Sequence, residues 1–252
     1  MLQISDLKLE TEPKRYTDDT FLDGRIRVKQ NAAGYRFSLD AVILAGHVVP
    51  NPGASVVDIG TGCGIIPLIL AYRYPAIRIQ GLEIQPPLAE LAKENVKRNN
   101  MEARITIQCD DAARAAANMP AGRIDLVTCN PPFRQAASGR INPHPERAIA
   151  RHEIKITLTG ITAVAAKLLR PSGEFATIYP AARLTDLVTT LRQAGIEPKL
   201  LRMIHSRARD PAKLVLLKGY KNGRPGLAIP APLIIYHDDR TYTSEILKMF
   251  AP

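Results

Sequence analysis

VVDIGTGCGIIPLILA, residues 56 to 71, reads as a buried strand that turns through three alternate glycines into an apolar helix. Val56 and Val57 are β-branched and lead into Asp58 and Ile59, as a strand of a parallel sheet covered on both faces does. Gly60, Gly62 and Gly64 remove Cβ where the chain turns tightly and where a ligand can approach the backbone, with Thr61 between them. Ile65 to Ala71 begins a helix that tolerates Pro67 in its first turn. Such a strand, turn and helix bind nucleotides. The dinucleotide fingerprint wants glycines at the first, third and sixth positions. Counted from Gly60, the sixth position is Ile65, so the NAD pattern fails. Asp58 instead offers a carboxylate near the loop, which suits a ligand bearing an ammonium better than a pyrophosphate.

Outward from this stretch, strands and helices alternate. IRIQGLEI, residues 77 to 84, is a second strand, with Glu83 near its carboxyl end and Ile84 beside it. An acid placed there in a Rossmann-type sheet accepts hydrogen bonds from ribose hydroxyls. Residues 86 to 101 form an amphipathic helix whose Leu88, Leu91, Ala92 and Val96 share one face, a scaffold element. RITIQCD gives a third strand ending at Asp110. Either Asp110 or Asp111 is placed to accept from the adenine amino group of a nucleoside. Ile124 to Cys129 is the fourth strand. Helices near 158 to 169 and 184 to 193 and strands at 174 to 180, 199 to 204 and 214 to 217 follow. This alternation specifies a doubly wound α/β sheet, seven-stranded and mostly parallel. The last two strands lack a helix between them and suit an antiparallel strand at the sheet edge.

Directly after the fourth strand stands Asn130-Pro131-Pro132-Phe133. An exocyclic amine of adenine or cytosine, or an amide nitrogen, has its lone pair delocalised into a π system. Two acceptors on its hydrogens bias that nitrogen toward tetrahedral geometry. The side-chain oxygen of Asn130 and the carbonyl of Pro131 are such acceptors, the Pro-Pro pair stiffens the backbone that presents them, and Phe133 can stack on a planar substrate. Toward an electrophile that is already activated, positioning such a nitrogen supplies most of the catalysis and no strong base is needed. A base within a duplex or structured loop must unstack to reach such a pocket.

The composition bounds the rest. The 252 residues, 46% hydrophobic, suffice for one large core. A formal net charge of +10 favours a polyanionic partner. Arg207, Arg209, Lys213, Lys218, Lys221 and Arg224, together with Arg134, Arg140, Arg147, Arg151 and His152 in the long loop after Phe133, are positioned to neutralise phosphates. Cys63, Cys109 and Cys129 form no C-x-x-C and read as reduced thiols, and the five histidines show no metal-ligand spacing, so no metal site is expected. The charged N-terminus and the lack of a long apolar run predict a soluble, cytoplasmic protein that does not engage membranes.

Ahead of the glycine loop, QNAAGYRFSLDAVILA brings a helix capped by Ser38 or Asp40, with Gln30, Tyr35, Arg36 and Phe37 as cofactor contacts. Packing of Tyr35 and Phe37 onto the sheet explains those two equally well. That segment, the D-x-G-x-G-x-G loop, NPPF, ARHE at 150 to 153 and PLIIYHDDRTYT together resemble the bacterial tRNA (valine-specific) adenine-N6 methyltransferases, small-domain class I enzymes, over nearly the whole chain. The resemblance implies a Rossmann-like methyltransferase fold, S-adenosylmethionine as donor, and a target adenosine just 3′ of the tRNA anticodon. By position, Asp58, Gly60, Glu83 and Asp110 would contact the cofactor and Asn130 to Phe133 the target base. Asp239-Arg240 departs from the Asp-Gly turn usual there. The expected organisation is an N-terminal extension over the cofactor, residues 1 to 40, a methyltransferase domain, 41 to 220, and a packed C-terminal extension, 221 to 252. Alternatives are methylation of rRNA, of DNA adenine or of a protein glutamine amide, or a non-catalytic S-adenosylmethionine-binding RNA module.

Overall fold

A computed structural model describes residues 16–32, 36–131 and 157–251. Pro132, Phe133, Tyr35 and the basic residues from Arg134 to His152 lie outside the described residues.

The chain opens with an antiparallel hairpin, β1 (Tyr16–Phe21) against β2 (Ile26–Asn31), followed by α1 (Leu39–His47). Then come β3 (Ser55–Ile59), α2 (Ile65–Arg73), β4 (Arg78–Glu83), α3 (Pro86–Arg98), β5 (Ile105–Cys109), a short α4 (Ala112–Ala117) and β6 (Ile124–Cys129). From residue 157 the described chain continues through α5 (Leu158–Leu168), β7 (Leu169–Pro180), α6 (Leu184–Gln193), β8 (Ile196–His205), β9 (Ala212–Lys221), β10 (Leu233–Ile234) and α7 (Ser244–Phe250).

Eight of the strands form one sheet in the order β10-β8-β9-β7-β6-β3-β4-β5. The run from β7 to β5 is parallel, while β9 is antiparallel to both β7 and β8. The sheet therefore has one strand more than the seven read from sequence, because Leu233 and Ile234 of the tail add a two-residue parallel strand beside β8. The antiparallel strand also lies two places in from the edge: β9 enters between β7 and β8, so both of its edges are paired. The tail continues along β8 on either side of β10: the Leu201 N–H donates to Ala228 O at 2.9 Å and the Ile235 N–H to His205 O at 3.0 Å.

Alternate residues of each central strand face opposite layers, which is why both faces had to be apolar. Val56 and Leu126 join the core that holds α1, α2, α3, α7 and the β1–β2 hairpin; Val57 and Val127 join the core under α4, α5 and α6. The two layers are sealed by side chains of almost no exposure, among them Leu68, Ile69 and Leu70 of α2 and Phe175 and Tyr179 of β7.

Candidate active site

From β3 the chain moves to β4 and β5 on one side, then returns to β6 and β7 on the other. A crevice forms at such a reversal, outside the carboxyl ends of the strands. Ile59 pairs with Cys129, so Gly60 and Asn130 leave the sheet side by side at that point. Glu83 and Asp110 end the next two strands on the β4–β5 side. Sequence reading and structure thus bring the glycine loop, Glu83, Asp110 and Asn130 to one edge of the sheet.

The loop is held by its own sheet. Gly60 and Thr61 both donate their N–H groups to Leu82 O, at 2.9 and 3.0 Å, and Gly62 donates to Glu83 Oε2 at 2.9 Å. Gly60 has φ +71° and open space where a Cβ would stand, as a backbone that a ligand must approach requires. Opposite, Gly81 makes room for Thr61, whose Oγ1 and Cγ2 lie 3.0 Å from the position of the missing Cβ.

Glu83 is almost fully buried and accepts from two backbone donors, Gly62 on one oxygen and Gln85 on the other at 2.9 Å. Burial raises its pKa, and the N–H groups of Gln85, Gly62 and Ile84 work against that rise. Each carboxylate oxygen retains a second lone pair. Ile84, half-buried, follows it. Asp58 is wholly buried: Thr128 on β6 donates its hydroxyl to Asp58 Oδ1 at 2.7 Å, and Oδ2 has no hydrogen-bond partner among the described residues. Burial pushes its pKa up to about 7, against relief from the Thr128 hydroxyl.

The turn after β5 separates its two acids. Asp111 caps α4, its Oδ1 accepting from the N–H groups of Ala113 and Arg114 at 2.9 and 3.1 Å. Asp110 accepts from Arg114 and from the Asp111 N–H, and the Arg114 guanidinium holds its carboxyl below the usual range. Gln30 and Arg36 both bind Asp19 of β1, Gln30 through Nε2 at 2.6 Å and Arg36 at 2.9 Å; Gln30 Oε1 also accepts from the Phe37 N–H at 2.9 Å. With both ends of its carboxamide engaged and 2% exposure, Gln30 ties the hairpin to α1.

Asn130 Oδ1 is buried and has no hydrogen-bond partner among the described residues. Pro131, also buried, follows it. Sequence reading missed Thr128 and, on α3, Asn95. A signal for Asn95 was present, since a polar residue stands on the apolar face shared by Leu91, Ala92 and Val96. Among the described residues no cluster of His, Cys, Asp or Glu could hold a metal ion, and no helix is long and apolar enough to cross a membrane.

A family model for the methyltransferase small domain matches residues 37–182. The chain belongs to the methyltransferase small-domain family. A tRNA1(Val) (adenine(37)-N6)-methyltransferase of Porphyromonas gingivalis is 36% identical over 175 residues, 67% of this chain and 68% of that relative. One of the same name from Aeromonas hydrophila is 27% identical over 232 residues, 90% of this chain and 94% of its own length. Among solved structures, a predicted O-methyltransferase of Agrobacterium tumefaciens superposes with a TM-score of 0.68 at 20% identity, covering 84% of this chain and 97% of that one. The TYW2 protein of M. jannaschii, solved with AdoMet, gives 0.57 at 14% identity over 83% and 87%. The family makes the chain a methyltransferase with S-adenosylmethionine as its methyl donor.

Proposed function

We propose that this methyltransferase acts on the exocyclic N6 amine of an adenosine in tRNA, beside the anticodon; its relatives' names give adenine 37 of tRNA1(Val) as their target. The observation that carries the reading is the buried, unpartnered Oδ1 of Asn130 next to the glycine loop. An acceptor left bare in a protein interior costs about 1–3 kcal/mol, and an amine hydrogen of the substrate is the donor that would complete it.

The glycine loop and Glu83 fit the donor: Gly60 leaves its backbone open, and Glu83 has lone pairs free for two ribose hydroxyls. Thr61, Gly62 and Gly64 shape that loop, with Ile84 and Asp110 at the neighbouring strand ends on the nucleoside side. Asp111, being a helix cap, yields the adenine contact to Asp110. Bound there, S-adenosylmethionine would supply an electrophilic methyl group, its S–CH3 bond breaking as the N–CH3 bond forms and S-adenosylhomocysteine leaving as a neutral thioether. Asn130 and the Pro131 carbonyl orient the amine, and the proton it loses passes to solvent once the nitrogen is alkylated. Pro132 and Phe133, outside the described residues, keep the roles that their side-chain chemistry suits, a stiff backbone and a ring to stack on the base.

With the cofactor half of the edge at β3, β4 and β5, the RNA must reach Asn130 from the β7–β9–β8 half. Arg207 and Arg209 in the β8–β9 turn and Lys213 at the start of β9 stand at that end of the sheet, the latter two exposed. Their charge suits phosphate positioning without sequence readout. Work on tRNA also suits a cytoplasmic enzyme.

The test is transfer of labelled methyl to tRNA, rRNA, DNA and protein fractions, followed by nucleoside analysis. N6-methyladenosine in tRNA is the expected product; label in protein or in another nucleic acid alone would replace the substrate. Asn130→Ala should lower kcat by about a hundredfold or more while S-adenosylhomocysteine still binds. A matching loss of cofactor affinity would make Asn130 structural instead.

A further inference from the structure

Among the described residues no strand lies beside the outer edge of β2; two asparagines of α3 take that place. Asn99 pairs with both backbone groups of Arg27, Oδ1 accepting from its N–H at 2.9 Å and Nδ2 donating to its carbonyl at 2.8 Å. One helical turn earlier Asn95 repeats the arrangement on Lys29, at 2.7 and 3.0 Å. A spacing of four on the helix meets a spacing of two on the strand because each advances about 6 Å. A carboxamide offers the same donor and acceptor as a peptide group, so each asparagine completes the strand as a neighbouring backbone would.

Asn95 differs from Asn99 in one respect. It has no exposure, and its Nδ2 also donates to the carbonyl of Cys63 at 3.0 Å, inside the glycine loop between Gly62 and Gly64. The loop is thereby clamped from two directions: Glu83 takes the N–H of Gly62, and Asn95 takes the carbonyl of Cys63. One amide group joins hairpin, helix and loop. Beyond Lys29, Gln30 passes the connection on to Phe37 and the start of α1.

We infer that Asn95 is a positioning residue for the cofactor, one that fixes the curvature of the glycine loop and couples its occupancy to the order of the β1–β2 hairpin. The inference rests on the glycine loop being the S-adenosylmethionine site. Without Asn95 the Cys63 carbonyl is left buried and bare and the hairpin loses its link to the loop; without Asn99 only the hairpin is loosened. The two residues thus separate support of the fold from support of the site.

The test compares Asn95→Ser with Asn99→Ser in the full chain, measuring S-adenosylhomocysteine affinity by calorimetry and thermal stability alongside. Asn95→Ser should weaken binding about tenfold, while Asn99→Ser lowers Tm by a similar amount and leaves affinity within about threefold. Equal losses of affinity in both variants, following Tm, would overturn the inference, as would an unchanged affinity in Asn95→Ser. Should Asn95→Ser not fold, hydrogen exchange in the unmodified protein decides: S-adenosylhomocysteine should slow exchange of the Lys29 N–H, and no slowing there overturns the coupling. Failure of the unmodified protein to bind S-adenosylhomocysteine would instead remove the cofactor assignment of the loop.

Discussion

Thr128 donates its hydroxyl to Asp58 Oδ1 at 2.7 Å, across paired positions of β3 and β6, with both side chains wholly buried. This bond joins the strand that launches the glycine loop to the strand that presents Asn130. Burial raises the Asp58 pKa from 3.8 to about 7. Below pH 4 the group is protonated folded and unfolded. As pH rises the unfolded chain ionises first, so this group's contribution to stability is lost between pH 3.8 and about 7. Thr128→Val removes the donor and raises that pKa further. Urea unfolding should show a cost of about 1–3 kcal/mol at pH 8 and a smaller one at pH 5; equal costs would show that Asp58 stays neutral throughout.

His47 has the opposite sign. Its Nδ1 faces Ile43 O at 2.8 Å and its Nε2 faces the Arg202 guanidinium at 3.0 Å. A guanidinium only donates, so Nε2 accepts and the ring is neutral. Burial, foremost, and Arg202 lower its pKa below 6.5, against the Ile43 carbonyl and Glu245. The unfolded chain therefore takes up the proton first, and stability falls as pH drops through 6.5 toward the depressed folded value. His47→Gln should cost more stability at pH 7.5 than at pH 5. A cost independent of pH would mean the ring stays in one charge state in both forms.

Gly81→Ala would place a Cβ 2.8 Å from Ile107 Cδ1 and 3.0 Å from two atoms of Thr61. The tip of Ile107 can turn aside, whereas Thr61 is short and sits within the glycine loop. The expected result is a destabilisation of about 1–3 kcal/mol, with S-adenosylhomocysteine affinity falling by more than Tm alone accounts for. Chemical denaturation and calorimetry check it, and unchanged affinity would show that the loop absorbs the methyl group.

Arg240 sits in a turn at φ +70°, in the left-handed region that glycine enters without strain. Asp239 Oδ1 holds that turn by accepting from the N–H and hydroxyl of Thr241, at 2.9 and 2.6 Å, while Tyr236 and Tyr242 stack across it at 5.1 Å. Left-handed backbone costs a side chain about 1–2 kcal/mol, partly offset by the greater freedom glycine has when unfolded. Arg240→Gly should raise Tm by about 1–3 °C in a thermal melt. A fall would point to a contact made by the guanidinium that outweighs the strain.

Local patterns made much of this legible in the chain. Ile124–Cys129 and Leu184–Gln193 fall where an apolar run and a helical period put them, because both signals are complete within the segment. β1 was not foreseen: in YTDDTF the middle four residues are polar, and only pairing with β2 makes a strand of them. The six-residue helix AARAAA has no apolar period to read. Glu83 was legible as an acid inside an apolar strand. The pairing of Gln30 and Arg36 with Asp19 was not, since it depends on a hairpin that brings residues 11 and 17 positions apart together. Asn95 was visible as a polar residue on an apolar face, but its partner Cys63, 32 residues away, was hidden for the same reason.

The strip of tail from Ala228 to Ile235 that lies along β8 also acts outside catalysis. β8 spans ten residues, and bare it would present a long row of N–H and carbonyl groups to any other extended chain. Ala228 and the Leu233–Ile234 strand occupy that row from within. The protein thereby blocks one route to edge-to-edge aggregation, and the last tenth of the chain, from residue 228, protects colloidal behaviour as much as it completes a fold.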